Sequence, residues 1–104
     1  METIAFVNGS AAFLTLSWTA DDDYLVLGFA GGSSVLSKNP NRTWTNTFSS
    51  PTTGVFDEWF VTSDSDLNAA WAFPLKKGEK IYCAMDNAIT VSWLLLQRTA
   101  ELIS

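Results

Sequence analysis

No stretch of this chain sustains a helical spacing of apolar residues for three turns. What recurs instead is a short β-branched or aromatic run, broken every few positions by Gly, Pro, Asn, Asp or Ser. That rhythm predicts strands at Thr3–Val7, Ala12–Trp18, Tyr24–Ala30, Ser34–Ser37, Thr43–Phe48, Val55–Thr62, Lys80–Met85 and Ala88–Gln97. Asp86-Asn87 separates the last two by the two-residue spacing of a tight hairpin. A single helical turn is expected at Ser65–Ala70, capped by Ser65 or Asp66.

About eight short strands in a 104-residue chain predict one all-β domain spanning residues 1–104, an antiparallel sandwich or small barrel. A jelly roll is the preferred topology. An immunoglobulin-like sandwich is second, since it lacks its Cys…Trp…Cys arrangement here. Apolar residues make up 47% of the chain, enough for a core without metals or disulfides. Charged residues are only 16%, and 11 serines with 11 threonines supply the polar faces in their place.

The alternation along two strands singles them out. In Tyr24–Phe29, Tyr24 and Val26 oppose Leu25, Leu27 and Phe29, so both faces are apolar. In Ala88–Gln97, Ile89, Val91, Trp93 and Leu95 share one face, while the other runs Thr90, Ser92, Leu94, Leu96 and turns from polar to apolar. A small antiparallel sheet ordinarily leaves one face to water. Strands apolar on both faces therefore predict a second covered surface, most simply another copy of the chain. Trp93, Leu94 and Leu96 are the expected subunit contact, with Tyr24 and Val26 behind them.

Several function classes are disfavoured by composition. The chain has no histidine, which removes the usual general base and the histidine-dependent triads and metal sites. No glycine pattern matches a phosphate loop. Catalysis is not expected, nor is a cofactor or a metal ion. Asp21-Asp22-Asp23 reads as a solvated turn, because three adjacent carboxylates lack the spacing of a calcium loop. With 6 basic against 11 acidic residues the formal charge is −5, which argues against nucleic acid and anionic membranes as partners. The start has no basic region followed by a long apolar stretch, so no signal peptide is expected. The single cysteine, Cys83, sits in an apolar run and reads as a small buried hydrophobe, made where thiols stay reduced.

Among the five tryptophans, Trp44 lies in a polar run and Trp59 follows Asp57-Glu58. These two either pack into the core or a satellite cluster, or serve as a ligand or partner contact, at a protein interface or as a sugar-stacking platform. A carbohydrate-binding module is accordingly the alternative function.

The segment Phe73-Pro74-Leu75-Lys76-Lys77-Gly78-Glu79-Lys80-Ile81-Tyr82, followed by Asn87-Ala88-Ile89-Thr90-Val91-Ser92-Trp93-Leu94-Leu95-Leu96, resembles the closing strands of small jelly-roll domains of the tumour-necrosis-factor or C1q-like type. Similar domains occur in decoration proteins, head fibres and spikes of tailed bacteriophages. The resemblance covers about a quarter of the chain and transfers no binding residue. It implies a homotrimer or other cyclic oligomer, docked on a larger protein lattice such as a viral capsid, hence a virion component assembled in the host cytoplasm. With the first strand beginning almost at Met1, attachment is expected to use the surface of the folded domain, as in a decoration or cement protein.

Overall fold

The computed structural model describes residues 1–45, 58–63, 65–69 and 71–102. Among them, nine strands and one short helix follow in the order β1 (Glu2–Asn8), β2 (Leu14–Thr19), β3 (Tyr24–Gly31), β4 (Ser34–Ser37), β5 (Glu58–Val61), β6 (Leu67–Asn68), β7 (Phe73–Leu75), β8 (Lys80–Met85), β9 (Thr90–Arg98) and α1 (Thr99–Leu102). They form two antiparallel sheets packed as a sandwich. The first is ordered β1-β9-β3-β6, with β7 also on β3; the second is ordered β2-β8-β4-β5. The chain alternates between the layers so that the pairs nest: β1 with β9, β2 with β8, β3 with β6 and β7, β4 with β5.

The core lies between the sheets. Phe6, Tyr24, Val26, Phe29, Phe73, Leu75, Leu94 and Leu96 from the first sheet meet Leu36, Trp59, Val61, Ile81, Cys83 and Met85 from the second. β9 runs through the middle of the first sheet and alternates cleanly: Ser92, Leu94 and Leu96 are buried, while Trp93 is exposed and Val91 and Leu95 are half-buried. β3 does not alternate cleanly, because its pairing with β9 shifts register between Val26 and Gly28. The extra residue, Leu27, is a bulge. It returns Phe29 to the inner face beside Tyr24 and Val26, where strict alternation would have sent it outward with Leu25.

Polar groups close both ends of this core. At one end the hydroxyls of Ser34 on β4 and Ser92 on β9 lie 2.7 Å apart, joining the two sheets, and both also bond the Gly32 carbonyl. Asn8, fully buried, donates from Nδ2 to the Ala12 and Asp86 carbonyls and accepts at Oδ1 from the amide and hydroxyl of Ser10. One amide thereby ties the β1–β2 loop to the β8–β9 hairpin. Gly31, at φ +120°, must be glycine: a Cβ there would lie 2.5 Å from the Val91 carbonyl oxygen. At the other end the Arg98 guanidinium pairs with Glu2 at 2.7 Å and Asp22 at 2.9 Å and lies over the Tyr24 ring.

The outer face of the second sheet is covered from within the chain. Val35 and Ala84 are fully buried there, and Arg42 reaches across to hold Glu58 at 2.8 Å, both side chains being mostly buried. Thr15 donates its hydroxyl to the Arg42 carbonyl on the same side.

The expected strands at Ser34–Ser37 and Lys80–Met85 fall where the sequence placed them. Of the expected strand Thr43–Phe48, residues 43–45 are irregular and 46–48 lie outside the described residues; Val55–Thr62 is represented by β5, with 55–57 likewise outside. The expected helical turn at Ser65–Ala70 is corrected: Leu67 and Asn68 pair with β3 as a strand, and residue 70 lies outside the described residues. Asp66 does not cap a helix. Its carboxylate turns back to accept the Thr62 and Ser63 amides and the Thr62 hydroxyl, which together hold it below the usual carboxylate range. Nor did the sequence single out β7, whose central residue is Pro74.

Candidate interaction surface

The outward-facing residues of the first sheet follow directly from its register. Val7 lies opposite Val91; Ala5 opposite Trp93, which lies opposite Ala30, itself opposite Leu67; Thr3 opposite Leu95, next to Gly28; and Gln97 opposite Leu25, next to Pro74. No residue in this grid carries a formal charge. Trp93 sits between two alanines, so no large neighbour on its row screens the indole, and it remains 41% exposed. Val7 and Leu67 are exposed at 54% and 62% on either flank. At one end of the grid Gln97 donates to Glu101.

This face differs from the outer face of the second sheet, whose central residues Val35 and Ala84 are fully buried. Isolated apolar residues on a protein surface are ordinary, whereas here exposed apolar residues from three strands share one uncharged face.

The structure corrects four of the five residues expected to form the subunit contact. Tyr24, Val26, Leu94 and Leu96 are 0–2% exposed and face the opposite sheet of their own subunit, so they are not available to a partner. The sequence identified two apolar faces on β9, and the one carrying Leu94 and Leu96 is turned to the core. Trp93 alone of the five is on the surface. Val7, Leu25, Val91, Leu95 and Leu67, which share its face, were not named as contacts. The signal for Val91 and Leu95 was present in the alternation with Trp93; nothing in the sequence joined Val7 or Leu67 to them.

The two other tryptophans separate as well. Trp59 is fully buried and meets Phe73 edge-on at 5.1 Å between ring centroids, which removes it as a ligand platform. Trp44 is half-buried in the irregular segment after Arg42. Burial pushes the Cys83 thiol up to about 12, partly opposed by a hydrogen bond with Ser34, so this thiol stays protonated at neutral pH. Tyr24, also raised to about 12 by burial, donates its hydroxyl to Asp21 at 2.5 Å.

Asp23 accepts the Lys77 amide at 2.9 Å and Asp22 the Asp23 amide at 2.8 Å, so the acidic run holds the β2–β3 and β7–β8 turns together. Among the described residues no three acidic or thiol side chains converge on a common point, no pocket is enclosed, and no helix is long and apolar enough to cross a membrane.

Comparison of the chain with protein-family models, with curated proteins and with solved structures finds no match.

Proposed function

We propose that this chain is a structural assembly protein: a jelly-roll subunit that joins copies of itself through the outer face of the first sheet and, so assembled, decorates a larger protein lattice such as a viral capsid. The observation that carries this reading is the uncharged grid around Trp93. Four strands at about 4.8 Å spacing and seven residues at about 3.4 Å each give a face of roughly 450 Å2 in projection. Covering it on two copies removes about 900 Å2, the size of a weak or transient contact rather than of an obligate one. A chain with a formal charge of −5 brings no charge to this contact and buries none.

The nested strand pairing supports the jelly-roll reading. A jelly roll is a long antiparallel hairpin rolled into two layers, and each pair from β1·β9 inward to β4·β5 fits that wiring. An immunoglobulin-like sandwich would put its first two strands in one sheet; here they lie in different sheets. Docking on a capsid rests on the likeness of the C-terminal strands to phage decoration and fibre domains.

Light scattering behind a sizing column tests the self-association. The expected mass is a multiple of 11.4 kDa, reduced in Trp93→Lys. A wild-type monomer at every concentration, or a Trp93→Lys variant of unchanged mass, overturns it.

A further inference from the structure

Each sheet ends in edge strands, and the edges are not equally protected. On one side of the sandwich β7 carries Pro74 at its centre, β6 is two residues long, and β5 is four residues long and carries the paired charge of Glu58. Proline, shortness and charge are the devices that stop an edge from pairing with another chain. β1 and β2 lie at the opposite end of each sheet order, and of these β1 still begins with the ion-paired Glu2. β2, Leu14-Thr15-Leu16-Ser17-Trp18-Thr19, has no charge, proline, glycine or bulge. It pairs with β8 over all six positions, and no other described strand pairs with it.

A second observation bears on what covers this edge. Leu14, Leu16 and Trp18 face the core, in register with Met85, Cys83 and Ile81. Their partners on β8 are fully buried, as are Leu36 and Trp59 further along the sheet, yet Leu14 is 36% exposed and Leu16 and Trp18 are half-buried. The inner layer is therefore uncovered along one line, the β2 edge.

We infer that β2 pairs antiparallel with β2 of a second copy across a two-fold axis normal to the sheet, joining two four-stranded sheets into one of eight. The occupant follows from the strand itself. An antiparallel edge is complementary to its own copy in backbone donors and acceptors, and a neutral strand meets its copy without charge repulsion. Cross-strand partners must point to the same face, so the axis passes at a residue rather than between two, and the longest overlap of the six residues puts it at Leu16 or at Ser17. In the first register Leu14 faces Trp18 of the copy and Leu16 faces Leu16; in the second Leu16 faces Trp18. Either register covers the exposed inner row. This contact is separate from the Trp93 face and stands or falls without it.

The test uses solution mass in a two-by-two set: wild type, Trp93→Lys, Ser17→Lys and both together. The Ser17 side chain is exposed, so lysine there leaves the subunit folded while placing two like charges opposite or diagonal across the axis. Circular dichroism checks the fold, and Ser17→Glu, which places two like charges of the other sign at the same position, is the second variant. The expected result is a dimer of twice 11.4 kDa for Trp93→Lys and a monomer for the double variant. Exchange of those β2 amides that point away from β8 is expected to be slow in the dimer and fast in the double variant. A monomeric Trp93→Lys protein, a mass indifferent to Ser17→Lys, or slow exchange of these amides in the monomer each overturns the inference. The Trp93 face fails separately, if Trp93→Lys leaves the wild-type mass unchanged.

Discussion

Trp93 and Leu94 are neighbours in sequence, and the structure assigns them opposite work. Leu94 is fully buried at the middle of the first sheet, between Ile4 on β1 and Phe29 on β3. Leu94→Ala removes three carbons from a site enclosed by strands on both sides, where the surroundings cannot collapse inward, so the cost falls at about 3–5 kcal/mol. Against a native stability of about 5–15 kcal/mol, that is a third or more of the total for most of the range. Trp93→Lys keeps an aliphatic stem over Ala5 and Ala30, and its intrinsic cost is about 1–2 kcal/mol. Urea denaturation at several protein concentrations distinguishes the two. A contact between subunits stabilises by mass action and so depends on concentration, whereas packing within a subunit does not. The loss in Leu94→Ala is therefore expected to be the same at every concentration, and the loss in Trp93→Lys to grow as concentration rises. A Leu94→Ala loss below about 1 kcal/mol, or one that scales with concentration, would refute the placement of the two faces.

Asn8→Ala removes four hydrogen bonds and strands the Ala12 and Asp86 carbonyls, for an expected loss of about 2–4 kcal/mol by urea denaturation. Asn8→Asp is expected to be no better at neutral pH, since a carboxylate cannot donate to either carbonyl. Alkaline stability follows from Cys83, whose thiol rises from 9.0 to about 12 on folding. The unfolded chain releases this proton first, so stability is intact below pH 9 and falls as pH climbs from 9 toward 12. Denaturation midpoints of Cys83→Ala are expected to fall less steeply between pH 9 and 10, and Tyr24 adds a decline of its own above pH 10. Deleting Leu27 removes only the bulge and leaves Val26 and Phe29 in phase, so cooperative unfolding is expected to survive. Deleting Leu25 throws Tyr24 to the outer face and is expected to abolish it, as followed by tryptophan fluorescence.

Strands with strong alternation or sharp flanking turns were legible in the sequence. β4 is fenced by Gly31-Gly32 and by Lys38-Asn39-Pro40, and β8 by Gly78 and Asp86-Asn87, and both are found at those bounds. β6 and β7 were not legible because their cause is tertiary. Leu67-Asn68 is too short to carry a period, and it becomes a strand only because Phe29 and Ala30 of β3 offer an edge. Phe73-Pro74-Leu75 carries a proline that argues against any strand inside a sheet, and it is tolerated because β7 lies at a margin.

The exposed face around Trp93 was half legible, for a reason specific to β sequences. A period of two reports that a strand has two faces and is silent on which one faces its own sheet partner. In β9 both faces offer large apolar residues: Trp93 and Leu95 on one, Leu94 and Leu96 on the other. The deciding information lies in β3, where the Leu27 bulge sends Phe29 inward, and in Ser92, whose hydroxyl finds its partners in Ser34 of the opposite sheet and the Gly32 carbonyl and so sets its face to the interior. A buried hydroxyl without that partner would cost about 1–3 kcal/mol, which makes the small polar residue a better indicator of the inward face than its larger apolar neighbours. The same reasoning explains why Trp93 stands outward. Its row partners Ala5 and Ala30 are too small to fill a core layer, and an indole between them stays exposed.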